Sequence, residues 1–292
     1  MTWISLIGIS LSVFALIATL SVRSGFRAEL VDTILGANAH VTVYKQPTKD
    51  NKGNVYRSFK DYESVNSIIS SLNSVSRAAP LIRGQVMASA NATTTGVDVF
   101  GISPENILSI RRVSDPKTSS GDIKNFSNGL AIGSGVAQAL NVSVGDDIQL
   151  ISPTGVKTAF GNSPRVKTFE VQYIFTAGRY DMDKIRIYMP FKSAQKYFDR
   201  DNLADEIEVL VNQPDQIDKI VEELSSATEG KFLFWTWKDA SGNYLRALEI
   251  EDNVMFVIMS ILVLIATMNI ISGLVMLVKN KSRDIALLRT IG

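Results

Sequence analysis

The sequence predicts an α+β domain of mixed sheets and packed helices, carried on two membrane-spanning α-helices with helical stalks. Met1–Val22 and Val254–Val278 are charge-free runs of 22 and 25 residues, and about 20 apolar residues suffice for a helix to cross a bilayer. The 231 residues between them alternate strand and helix patterns. Mixed α and β elements around one core are the expected result.

Met1–Val22 lacks the basic start, short apolar core and small-residue cleavage site of a secretory signal. It reads as a true span whose preceding residues belong to a longer protein, and the stop at "LLRTIG" points the same way. Ser5, Gly8, Ser12, Ala15 and Thr19 share one helix face, which lets another helix approach closely. Thr267, Asn269, Ser272 and Gly273 form a less regular cluster in the second run. Asn269 is its most polar group and is expected to face protein. The helix-packing candidates are Gly8, Ser12, Ala15, Asn269 and Gly273.

Orientation follows from the flanks. Lys279, Lys281, Arg283 and Arg289 against Asp284 leave the C-terminal flank at net +3, while Glu249, Glu251 and Asp252 precede the second run. Positive residues stay inside, so the C-terminal flank is cytoplasmic and residues 23–253 lie outside. That segment has 26 basic and 28 acidic residues. Arg23 and Arg27, just outside the first run, oppose this orientation.

Helix is expected beyond both spans. Val22, Phe26, Leu30 and Ile34 repeat every four residues up to Gly36, a helix stop. Tyr244, Leu245, Leu248 and Glu251 lead into the second run behind Asp239 or Ser241 as caps. Between the stalks, "NAHVTVYKQ" alternates as a strand and "TKDNKGN" reads as a loop. A helix follows over 59–73, then strands near 77–90 and 95–102, and "ENILSI" as a short helix. "TSSGDIKNFSNG" reads as a polar loop. Strands are expected at 129–132, 146–152, 166–177, 184–189, 205–212 and 231–237, with helices at 133–140, 191–199 and 214–227.

Much chemistry is excluded. Net charge is +1, which gives no reason to expect nucleic acid as a partner. There is no cysteine, so there is no disulfide, thiol nucleophile or thiolate metal site. His40 is the lone histidine, read as a partly exposed strand residue. No P-loop, G-x-S-x-G elbow or H-E-x-x-H occurs. The carboxylates of "DMD" (181–183) and "DNLADEIE" (201–208) read as solvated loops or helix ends. No catalytic residue, metal or cofactor is expected, and the chain reads as a non-enzyme.

One segment fits neither core strand nor helix. "SPTGVKTAFGNSPR", Ser152–Arg165, is framed by prolines, basic and without an acidic residue.

Four stretches resemble the permease subunits of lipoprotein-releasing ABC transporters, the LolC/LolE family, related to the macrolide exporter and the FtsX-like permeases. "WISLIGISLSVFALIATLSVRSGFRAEL" is similar to the family's first span and stalk, and "GVDVFGISPE" to a strand-turn before an inserted subdomain. "GLAIGSGVAQALNVSVGDDIQLISP" resembles its turn, helix and strand. "NIISGLVMLVKNKSRDIALLRTIG" resembles the end of the second span and the start of the coupling helix. The resemblance implies four spans, of which the first two are present, and a macrolide-exporter-like periplasmic domain. It implies a first span and stalk at 1–36 and a membrane-proximal subdomain from 37–110 and 190–243. An inserted subdomain then covers 111–189, the second stalk and span 244–278, and the coupling helix starts at 279–292.

The resemblance also implies partners. A separate ABC ATPase subunit binds ATP and docks on the coupling helix, here Lys281, Arg283, Asp284, Ile285, Leu288 and Arg289. Lipoprotein substrates pass to a soluble periplasmic carrier held by a protruding hairpin, the hook. Its expected contacts are Pro153, Thr154, Gly155, Lys157, Phe160, Gly161, Pro164, Arg165 and Lys167. The prolines limit the entropy lost on binding, and Phe160 is the expected anchor. A second permease copy or a sibling completes the assembly in the bacterial inner membrane. An FtsX-like or exporter-type permease with another periplasmic partner, and a two-span sensor, remain as alternative readings.

Overall fold

The computed structural model describes residues 2–37, 39–49, 55–115, 117–158 and 161–291. It divides into two units, Met1–Val31 with Ser241–Gly292, and Asp32–Ala240. Helix α1 (Thr2–Ala37) supplies residues to both.

In chain order the second unit continues with β1 (Val41–Tyr44), β2 (Thr48–Lys49), β3 (Val55–Tyr56) and α2 (Tyr62–Ser70). Next come β4 (Val75–Ala90), β5 (Thr93–Ile102), α3 (Pro104–Ile107) and β6 (Ser119–Gly121). A 3₁₀ turn at Ile123–Asn128 precedes β7 (Leu130–Gly133), α4 (Ser134–Leu140), β8 (Asp147–Thr158) and β9 (Gly161–Phe175). The unit ends with α5 (Tyr180–Ile185), β10 (Arg186–Pro190), α6 (Phe191–Tyr197), β11 (Glu206–Val211), α7 (Ile217–Ala227), β12 (Leu233–Thr236) and α8 (Trp237–Ala240). Helix α9 (Gly242–Ile291) belongs to the first unit.

The sheet is mixed, in the order β12-β1-β11-β4-β5-β10-β7-β9-β6. Strand β4 is the hinge of its topology. Its first half pairs with β11 from Val75 to Leu81, and its second half pairs with β5 from Ile82 to Ala90. Asn91 and Ala92, both with positive φ (49° and 61°), make the tight turn between β4 and β5. Strand β8 pairs with both β4 and β9. The pairings β4–β5–β10–β7–β9–β8–β4 therefore close on themselves. This ring takes β5 and half of β4 from the expected membrane-proximal subdomain, so its strands lie on both sides of the expected boundary at residue 110.

Side chains along a strand alternate between faces, and here both faces are buried. Val99, Ile132 and Ile187 enter one core with Val136 and Leu140 of α4 and Ala194 and Tyr197 of α6. Their neighbours Phe100, Ala131 and Tyr188 enter a second core with Phe126, Tyr173, Phe175 and Met182. Two-sided burial explains why β7 and β10 read as continuous apolar runs. The expected polar loop at 118–129 holds β6 and the 3₁₀ turn, because Phe126 is fully buried in the second core. Helix α5, also not expected, buries Met182 there. The expected loop "TKDNKGN" begins in β2, which pairs with β3, and residues 50–54 of it lie outside the described residues. Helix α2 packs on β4 and α7.

Within the first unit, Leu245–Lys279 is long and apolar enough to cross a membrane, with mean hydropathy 2.7. Among the described residues of α1 the apolar stretch is the shorter Val13–Phe26. Helix α9 continues without a break to Ile291. It runs on through the residues expected to begin the coupling helix, and 279–291 offers no glycine or proline to interrupt it. Ser282 Oγ donates back to the Lys279 carbonyl at 2.8 Å.

Candidate functional site

The proline-framed segment is a hairpin. Strands β8 and β9 pair from Asp147↔Glu170 to Ser152↔Arg165, slip, and resume from Val156↔Ser163 to Thr158↔Gly161. At the slip, Pro153, Thr154 and Gly155 stand against Pro164 alone. A proline has no N–H for a ladder, so a slip is where a strand tolerates one. Both strands thus run further than the expected 146–152 and 166–177. Among the described residues no third strand pairs with 153–164; β4 meets β8 only at Gln149–Ile151. Beyond Ser152 and Arg165 the hairpin is a two-stranded ladder that leaves the ring.

The expected contact residues fare differently. Pro153, Pro164 and Lys167 are exposed. Phe160, the expected anchor, lies with Ala159 outside the described residues. For Thr154, Gly155, Lys157 and Gly161 the backbone pairing alone is described. Arg165 is half-buried, and its guanidinium donates to the carbonyls of Lys196 and Tyr197 at the end of α6. Lys167 places its ammonium 4.9 Å from the Phe169 ring centre, and Phe169 meets Tyr197 edge to face at 5.8 Å. Burial pushes the Tyr197 hydroxyl up to about 12.

The end of α1 forms a second cluster. Asp32 accepts from the guanidinium groups of Arg111 and Arg112, and Arg111 first holds its carboxyl below the usual carboxylate range. The Arg112 N–H donates to the Gly36 carbonyl at 3.0 Å. A Cβ on Gly36 would sit 2.8 Å from Arg112 Cγ. The glycine read as a helix stop is thus needed for close approach. A cleft of about 350 Å³ beside it is lined by Asp32, His40, Arg77, Arg111 and Glu208 among others. His40 is half-buried and its Nδ1 accepts from the Val211 N–H at 3.0 Å; burial lowers its pKa, favouring the neutral ring.

In the first unit, Arg23 pairs with Asp252. One of the two basic residues that opposed the orientation therefore has an acidic partner. The Cβ position of Gly8 lies 3.9 Å from Asn269 Nδ2, so these two packing candidates meet. Ala15 and Gly273 are partly buried, and the side chain of Ser12 is not described. Lys281 and Arg289 are exposed on α9, and the side chains of Arg283, Asp284, Ile285 and Leu288 are not described.

In the acidic clusters Asp181 and Asp201 are exposed as expected, whereas Asp183 and Asp205 are buried acceptors. Asp183 accepts from the N–H groups of Ala177 (2.7 Å) and Gly178 (3.2 Å), and burial raises its pKa. Asp205 accepts from the Arg83 N–H at 2.8 Å and from Ser58 and Arg200. Composition alone did not separate these buried acceptors from surface charge. Among the described residues no group of three or more His, Asp or Glu is arranged to hold a metal ion.

The MacB-like periplasmic core domain family matches residues 2–227. LolC of the lipoprotein-releasing system from Neisseria meningitidis is 27% identical over 100% of this chain and 69% of its own length. LolE of that system from Haemophilus influenzae is 25% identical over 99% of this chain and 68% of its own length. The solved periplasmic region of MacB from Actinobacillus actinomycetemcomitans is 10% identical, covering 74% of this chain and 97% of that one, with a TM-score of 0.44. With that family over 226 residues and similarity to LolC and LolE along its whole length, the chain belongs to the MacB-like periplasmic core domain family, among its LolC/LolE-type permeases.

Proposed function

We propose that the chain is the permease subunit of a lipoprotein-releasing ABC transporter in the bacterial inner membrane, and that its β8–β9 hairpin captures a soluble periplasmic carrier. The hairpin carries this reading: a ladder that leaves the ring at a proline-lined slip, in a chain similar to LolC and LolE. A short two-stranded ladder with restricted prolines loses little entropy when a partner docks on it. Lys157 and Lys167 supply positive charge without a neighbouring acid in the segment, which suits an acidic rim.

The membrane half of the reading rests on α1 and α9 as two antiparallel spans. The Arg23–Asp252 pair supports it, because it joins the ends of the two apolar runs. A separate ATPase subunit would dock at Lys281–Arg289, and the continuity of α9 supports direct transmission of its movement. In this reading the chain performs no chemistry and binds no nucleotide; the ATPase subunit supplies both. It pairs with a second copy or a sibling permease.

The test is carrier binding to the full chain in nanodiscs, with residues 153–164 intact or replaced by a short Gly-Ser turn. Binding to the intact chain and its loss in the replacement are expected. A folded intact chain that ignores the carrier at high concentration sinks the proposal and moves an FtsX-like or exporter-type partner ahead.

A further inference from the structure

We infer that Arg165 is a positioning residue for partner capture: it holds the projecting hairpin against the C-terminal end of α6 and does not itself touch the partner. The inference rests on the hook reading above and deepens it.

Arg165 is the last paired residue of β9 before the slip, so it sits where the hairpin leaves the ring. Past that point the ladder is held by its own pairing alone among the described residues, and its direction depends on what fixes its base. The guanidinium is committed to the carbonyls of Lys196 and Tyr197. These belong to the last turn of α6, where the Lys196 carbonyl otherwise accepts only a long 3.5 Å bond from the Asp199 N–H among the backbone groups described, and a cation there also suits the helix dipole.

The acceptor is itself rigid. The Cβ position of Gly101 on β5 is 2.2 Å from Ala194 Cβ, and that of Gly84 on β4 is 2.3 Å from the Phe198 ring. Helix α6 and the residue after it therefore lie directly on the backbone of the ring. Tyr197 is 2% exposed and meets Phe169 of β9 edge to face. One arginine thus ties a mobile type of element, a two-stranded ladder, to the least yielding surface nearby. A fixed direction lowers the ordering cost of capture, whereas a charge touching the partner would act through salt-dependent attraction.

The test uses the full chain in nanodiscs with two readouts. The chain has no cysteine, so cysteines at the exposed Ser163 and Lys192 accept a unique pair of spin labels. Arg165→Ala is expected to broaden the inter-label distance distribution. Without labels, it is expected to weaken carrier binding about tenfold, by the same factor at low and high salt. Arg165→Gln keeps a donor without the charge and is expected to retain more binding than Arg165→Ala. An unchanged distance distribution overturns the inference whatever binding does. So does a loss confined to low salt, or equal loss in the two variants, since each marks a charge contact. If the unaltered chain does not bind the carrier, the hook reading falls and the capture role with it; a broadened distribution then shows separately that Arg165 holds the hairpin.

Discussion

Glu206 shows how one half-buried carboxyl makes the fold respond to pH. It stands on β11 opposite Leu81 of β4. Burial pushes its pKa up from 4.5 to about 7, against the pull of Arg83 and with a push from Glu208. The folded chain therefore holds this proton more tightly than the unfolded chain does. The resulting stability is whole below about pH 4.5 and fades as pH rises through about 7. Glu206→Gln keeps the shape and removes the titration. It is expected to flatten the fall of the melting temperature between these pH values and to stabilise the fold at pH 8 by about 1–3 kcal/mol. Thermal unfolding of both proteins across pH checks this; parallel curves would remove Glu206 as the cause. The sequence placed Glu206 in an acidic run and read the run as solvated. The local signal, Glu208 two residues on, does not distinguish it from other acidic runs, because its burial and the pull of Arg83, Arg186 and Arg57 come from residues remote in sequence.

At the scale of elements, the contact of helix α6 with strand β5 is sensitive to volume. A Cβ on Gly101 would lie 2.2 Å from Ala194 Cβ and 3.1 Å from Ile82 Cβ. Neither neighbour is the free end of a flexible chain, so α6 would have to back away. Gly101→Ala is expected to cost about 1–3 kcal/mol by overpacking, measured by denaturant unfolding. It is also expected to loosen the base of the hairpin, since α6 supplies the acceptors of Arg165. An unaltered unfolding midpoint would mean that α6 is free to shift. Elements with strong local signals were legible beforehand. Helix α7 buries Ile217, Ile220 and Leu224 at helical spacing, and the Asn91–Ala92 turn separates two β-rich runs. The 118–129 segment was not legible, because one residue, Phe126, outweighs eleven mostly polar neighbours by filling the second core. The full reach of β8 and β9 was hidden for the opposite reason. Proline normally ends a strand, and only the register slip lets Pro153 and Pro164 remain inside one.

For the whole molecule, closure of the ring was beyond a local reading. It depends on Met87–Ser89 of β4 meeting Gln149–Ile151 of β8, sixty or more residues away, and no period in the sequence encodes such a pairing. The proposed two-span topology is different, because that reading rests on two charge-free runs and their flanks. Arg23 and Arg27 were the discordant residues, and of these Arg23 pairs with Asp252 just ahead of the second run. That arrangement makes a definite prediction. If α1 and α9 are both spans, Thr2 and Ser282 lie on the cytoplasmic side and Ser163 on the periplasmic side. Single cysteines are unambiguous labels in a chain that has none. In intact cells opened only at the outer membrane, Ser163→Cys is expected to react with an impermeant maleimide. Thr2→Cys and Ser282→Cys are expected to react only after the inner membrane is permeabilised. Periplasmic labelling at Thr2→Cys would leave α9 as the lone span and remove the antiparallel pair. Periplasmic labelling at Ser282→Cys would take away the docking place proposed for the ATPase and, with it, the transporter reading.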